Sequence, residues 1–155
     1  MGNVLIGIVG VVIVVGLALA GALFLGDRFK EASNDAEAAR YIAEGKQISH
    51  AYELYGLQEG DYPQGENSDE KMAQLINGGY LKSNPLGGGR AQPGNSSAWY
   101  IDDATGSALT FIGEDQTARN ICVQARIQSN MPDPQNIKQC AANDLLTNDP
   151  CCIGA

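Results

Sequence analysis

The sequence predicts an α+β protein. A long N-terminal α-helix, apolar in its first half and amphipathic in its second, packs on a small globular head with a short antiparallel β-sheet and a disulfide-stapled C-terminal region. Three observations carry this expectation. Val4–Gly26 holds no charged residue, and Asp27 to about Gly56 continues it directly as an alanine-rich stretch with helical periodicity. Two strand-like runs, Ala98–Ile101 and Ser107–Ile112, flank a turn-forming Asp102-Asp103-Ala104-Thr105-Gly106. The cysteines, Cys122, Cys140, Cys151 and Cys152, all lie toward the C-terminal end.

A membrane-spanning helix needs about 20 predominantly apolar residues, and Val4–Gly26 meets that length. It contains Gly7, Gly10, Gly16, Gly21 and Gly26. Glycine weakens a helix in water by about 1 kcal/mol per site, so the segment relies on its surroundings, either hydrocarbon or the core of an assembly. Small residues recur four apart at Gly16/Ala20 and Ala18/Ala22, a spacing that lets helix backbones approach closely; the plainer reading is glycine tolerated by lipid in an ordinary anchor. A secretory signal is the other alternative. Ala18, Ala20 and Ala22 offer A-x-A-like sites, but Met1-Gly2-Asn3 carries no basic side chain and the apolar run exceeds that of a signal. Arg28 and Lys30 would hold the following chain in the cytoplasm by the positive-inside rule, whereas the cysteines point to an oxidising compartment. A basic leader, once ahead of Met1 and then removed, reconciles the two.

In the amphipathic half, Phe29, Ala32, Ala36, Ala39, Ala43, Ile48, Tyr52 and Tyr55 form the expected inward stripe, with Glu31, Asp35, Glu37, Arg40, Glu44 and Lys46 on the other faces. One helix from Val4 to Tyr55 would be about 78 Å long, far beyond the thickness of a bilayer core, so it must project. Gly56 and then Gly60-Asp61-Tyr62-Pro63 end it by turn chemistry. The expected organisation is therefore residues 1–26 as transmembrane or filament-core helix, 27–56 as the amphipathic half of that helix, and 57–155 as the head.

Within the head, Ser68-Asp69-Glu70 supplies an N-cap candidate and first-turn acids for a short helix carrying Met72, Leu75 and Ile76, stopped by Gly78-Gly79. Ser83–Ser97 reads as a loop. Its Gly87-Gly88-Gly89-Arg90 lacks both the Gly-Lys-Ser/Thr ending and the preceding strand that a phosphate cradle needs. Asn95-Ser96-Ser97 matches the N-glycosylation acceptor pattern. Asp102 and Asp103 are possible calcium ligands, but EF-hand spacing is absent and turn chemistry accounts for them. A helix from about Glu114 to Ser129 turns Ala118, Ile121, Cys122 and Ala125 inward, and Pro132-Asp133-Pro134 ends it. From Gln135 the tail is expected to be short-helical at most, then irregular.

All 18 acidic and 10 basic residues follow Gly26, giving that part a net charge of −8. An acidic head has no electrostatic reason to bind nucleic acid or anionic lipid, and no direct nucleic-acid binding is expected. The cysteines lack CxxC spacing and partner histidines, so zinc is disfavoured; the sole histidine, His50, reads as a solvated or packed residue. Disulfides fit better. Four cysteines allow three pairings, and because adjacent Cys151 and Cys152 would make a strained bridge, each is expected to join Cys122 or Cys140. No serine nucleophile motif, His/Cys constellation or carboxylate pair supports catalysis, so neither enzyme activity nor a cofactor or metal is expected.

Taken together, the apolar helix running into Asp27–Tyr55, Gly60-Asp61-Tyr62-Pro63 after it, Leu75-Ile76-Asn77-Gly78-Gly79-Tyr80-Leu81-Lys82 leading to Asn84-Pro85, and the C-terminal cysteines resemble the type IV pilin family, its type IVb branch more than type IVa. The likeness spans the whole chain in architecture and the N-terminal half in detail. It implies processing and methylation at Met1, and polymerisation into a helical homopolymer with the N-terminal helices in its core. The residues that would pack that core are Leu5, Gly7, Gly10, Gly16, Ala20 and Gly21. It implies the inner membrane before assembly, the extracellular pilus after it, and the pilus assembly machinery as partner. It also implies that part of Val12–Leu23 unwinds in the filament, with Gly16 and Gly21 the favoured places because glycine tolerates non-helical dihedrals. The family usually carries a glutamate five residues into the mature chain, where this sequence has Leu5, and no acid occurs before Asp27. That departure leaves open a minor pilin or pseudopilin of a secretion or DNA-uptake machine. A bitopic membrane-anchored extracytoplasmic binding domain is the reading outside the family.

Overall fold

Uncharged and charged sequence join in one helix, α1 (Gly2–Glu59). The computed structural model describes residues 2–88, 97–113, 115–140, 142 and 144–154, and in the N-terminal part of α1 the side chains of 8–21, 26 and 28 onward. After α1 come α2 (Ser68–Asn77), β1 (Trp99–Asp102), β2 (Ser107–Ile112), α3 (Gln116–Gln128) and β3 (Cys151–Ile153). The chain is thus α+β, with a long N-terminal helix, a three-stranded sheet and two disulfides. It divides into two units, Met1–Asn34 and Asp35–Ala155, so the α1 residues from Asp35 onward fold with the head.

In the first unit the backbone is α-helical through Gly10, Gly16 and Gly21, and the described apolar side chains Ile8, Val12, Leu17 and Leu19 are each at least 60 % exposed.

In the second unit α1 buries Ala38, Tyr41, Gly45, Ile48, Ala51 and Tyr52. This corrects the expected inward stripe. Ile48 and Tyr52 belong to it and Tyr55 packs partly against it, but Phe29, Ala32, Ala36, Ala39 and Ala43 are exposed. The phase is set at Gly45, where an added Cβ would lie 3.0 Å from the Ala108 carbonyl oxygen and 3.3 Å from the Trp99 ring. A side chain there would press helix and sheet apart, so glycine suits this close approach. Gly56 lies inside α1 rather than ending it, leaving room for the Tyr62 ring, and the helix stops at Glu59 before Gly60, whose φ is +82°. α2 is capped by Asn67, whose side chain accepts from the Glu70 amide, and not by Ser68. α3 is capped by Asp115 and buries Ile121, Cys122 and Ala125 as expected; Glu114 is outside the described residues.

The sheet order is β1-β2-β3. β1 and β2 form the expected hairpin, with Trp99 opposite Thr110 and Asp102 opposite Ser107. β3 lies parallel to β2, with Thr110 opposite Cys151 and Ile112 opposite Ile153, so the sheet is mixed and the tail is more ordered than expected. Along β3 side chains alternate in direction. Cys151 joins a cluster with Cys122, Ile112, Ile121, Ala125 and Tyr41, whereas Cys152 joins Cys140 and Leu109 on the opposite face. The third cluster gathers Trp99, Ile101, Ile48, Tyr52, Met72 and Leu75 between α1, α2 and the hairpin. Backbone donors that no neighbouring strand takes are met by hydroxyls: Trp99 N–H donates to Ser97 Oγ, Ile101 N–H to Ser68 Oγ and Ala108 N–H to Ser49 Oγ.

Candidate functional site

The residues expected to pack a filament core are all on α1. The side chain of Leu5 and the surroundings of Gly7, like Met1, are outside the described residues. At Gly10, Gly16 and Gly21 an added Cβ would meet no atom within 4 Å, and Ala20 is exposed. Among the described residues nothing therefore demands small residues there. Among the described residues no helix is long and apolar enough to cross a membrane. The longest described apolar run, Ile8–Gly21, covers about 20 Å of helix axis against about 30 Å of hydrocarbon.

The cysteines form Cys122–Cys151 and Cys140–Cys152, with Cα separations of 5.9 and 4.9 Å. Each of the adjacent pair thus joins one of the two upstream cysteines, on opposite faces of the sheet. Beside the first bridge lies an ion pair that sequence reasoning missed: Arg126 Nη1 donates to Asp149 Oδ2, with both side chains almost fully buried. Arg126 Nη2 also reaches the Asp133 carbonyl at 3.4 Å, while its Nε has no acceptor among the described residues. Burial pushes the Asp149 carboxyl up from its ordinary value, and the Arg126 guanidinium opposes that shift. The available signal was spacing: Arg126 follows Cys122 by one helical turn, and Asp149 precedes Cys151 by one strand repeat.

The start of the Ser83–Ser97 loop is tied to α1 and the sheet. Gly87 N–H donates to Glu44 Oε2 at 2.8 Å, the Gly87 carbonyl accepts from Arg40 at 2.9 Å, and Gly88 N–H donates to Thr110 Oγ1. The amides a phosphate would need are engaged, one of them by a carboxylate. Residues 89–96, with Arg90 and the acceptor Asn95, are outside the described residues. In the hairpin turn Asp102 accepts from Thr105 Oγ1, and Asp103 takes Lys71 Nζ at 2.6 Å on both carboxylate oxygens and the Tyr52 hydroxyl at 3.2 Å. Burial first, then the charge and hydrogen bond of Asp103, push the Tyr52 hydroxyl up to about 12.

An open groove of about 540 Å³ along α1 is lined by Tyr41, Lys46, Ser49, His50, Glu53 and Gln128 among others. His50 lies at its exposed rim. Among the described residues no three of His, Cys, Asp and Glu are grouped to hold a metal. No protein-family model, curated protein or solved structure matches the chain.

Proposed function

We propose that this chain is the structural subunit, a major pilin, of an extracellular type IV pilus, polymerising through its N-terminal apolar helix. One observation carries the reading: an uncharged stretch, Val4–Gly26, runs without a break in the helix into residues that fold with a small disulfide-bonded head. Exposed side chains such as Val12 and Leu17 must be covered by lipid or by other helices, and a pilin uses each in turn, the inner membrane before assembly and its neighbours after. In a core already free of water, association rests on close van der Waals contact, which favours small residues at Gly10, Gly16, Ala20 and Gly21. Leu5 spares the filament a buried carboxylate and forgoes the contact that would register neighbours through it.

The test is to shear cells of the source organism, image the supernatant by electron microscopy and weigh the chain from that fraction. Filaments rich in the chain, with a methylated Met1 and four hydrogens lost to two disulfides, are expected. Retention in membranes without filaments would replace this reading by an anchored binding domain. Filaments in which the chain is scarce would make it a minor pilin or pseudopilin, the alternative that Leu5 favours.

A further inference from the structure

Two adjacent cysteines at the start of a three-residue strand pose a choice that the fold must settle. Strand side chains alternate, so a slip of β3 by one residue against β2 exchanges the faces of Cys151 and Cys152. Cys152 would take the place of Cys151 against Cys122, while Cys151 would take that of Pro150 and Ile153 that of Cys152, so a second bridge, Cys140–Cys151, requires the Cys140 segment to move along with the strand. Each face keeps one cysteine, but Ile153 leaves the cluster around Cys122 for the opposite face.

The electrostatic difference lies in the residue that meets Arg126. In the observed register Asp149 does so, with side-chain exposures of 1 and 0 % for the pair; after the slip Pro150 would take that place. Arg126 would then be a buried cation with no counter-charge, an arrangement far worse than either the intact pair or an apolar replacement of both partners. Apolar replacement of such a pair is often neutral for stability, so stability alone does not account for its presence.

We infer that Arg126 and Asp149 form a register pin that selects Cys122–Cys151 and Cys140–Cys152 over the slipped pairing. The pin acts through geometry: it docks the Asp149 segment on α3 one turn from Cys122, so that Cys151 and not Cys152 reaches the Cys122 sulfur. Exchange between the pairings is redox-neutral. A thiolate attacks a bridge sulfur, one S–S bond forms as another breaks, and the displaced sulfur leaves as thiolate. Forming both bridges from four thiols passes four electrons and four protons to two disulfides of an oxidoreductase of the compartment, which become four thiols. The inference does not depend on the pilus reading.

The full chain, secreted into an oxidising compartment and extracted in detergent, tests it. Partial reduction, differential alkylation and fragmentation between Cys151 and Cys152 report which of them is joined to Cys122. Two variants are compared with the parent: a charge-free one, Arg126→Met with Asp149→Leu, and a register-shifted one, Asp149→Asn with Pro150→Asp. The parent should show one pairing, the charge-free variant a mixture that includes Cys122–Cys152, and the register-shifted variant a larger share of Cys122–Cys152 than the charge-free one. Slipped pairing in either variant supports the pin. Native pairing alone in the material recovered overturns it, and so does loss of both variants to unfolded aggregate, which would assign the pair to stability.

Discussion

At the scale of the residue, Tyr52 and Gly87 show how single side chains or their absence fix the head. The Tyr52 hydroxyl has a folded value near 12 against an ordinary 10.0, so its neutral form is favoured in the fold. The stability this contributes is fully present below about pH 10 and is lost as pH rises through about 12, because the unfolded chain releases the proton first. Denaturant titrations across that window should show a steeper alkaline loss for the parent than for Tyr52→Phe. Gly87 has φ +54°, and a Cβ there would lie 2.4 Å from Thr110 Oγ1. Gly87→Ala should therefore lower stability by about 1–3 kcal/mol, read as a shift in melting temperature. Neither role was legible in the sequence. Tyr52 was placed correctly on the inward face, but its tie to Asp103 and the tie of Gly87 to Glu44 join residues more than 40 positions apart, which no local pattern encodes.

At the scale of the element, α1 carries two kinds of glycine. Gly45 touches the sheet, whereas Gly16 has open space around it. Gly45→Leu should therefore unfold the head, while Gly16→Leu should leave the subunit's melting in detergent unchanged, since leucine is the better helix former. If the proposed filament core exists, the same Gly16→Leu change should cut the yield of sheared filaments; undiminished yield, with Gly10→Leu and Gly21→Leu equally harmless, would count against it. The long helix, the hairpin and α3 were legible because apolar period and turn residues agreed there. The inward phase of α1 was not. Alanine is small enough to suit either side of a helix, so the row Ala32, Ala36, Ala39, Ala43 imitated a core face while Gly45 and Tyr41 decided the contact. β3 escaped notice because three residues with adjacent cysteines show no alternation to read, and its partner lies 41 residues upstream in register. The cap of α2 was misassigned by one residue because Asn67 and Ser68 are both good caps; the hydroxyl of Ser68 was wanted by β1 instead.

At the scale of the molecule, the bridges Cys122–Cys151 and Cys140–Cys152 fasten both faces of the sheet to the surrounding chain across loops of 29 and 12 residues. Constraint of the unfolded chain typically contributes about 2–4 kcal/mol per bridge, large beside the stability of a small domain. Reduction of the full chain in detergent should lower the head's thermal midpoint markedly, with the far-ultraviolet helical signal of the first unit retained. That the four cysteines form two intrachain bridges was legible from their number and clustering. Which pairs they form was not, because the choice rests on strand register and on a buried ion pair. The serine hydroxyls that meet Trp99, Ile101 and Ala108 carry a last consequence. An open row of strand donors is a template on which another chain adds by cross-β growth. Here those donors are already taken, which works against amyloid-like stacking of crowded heads.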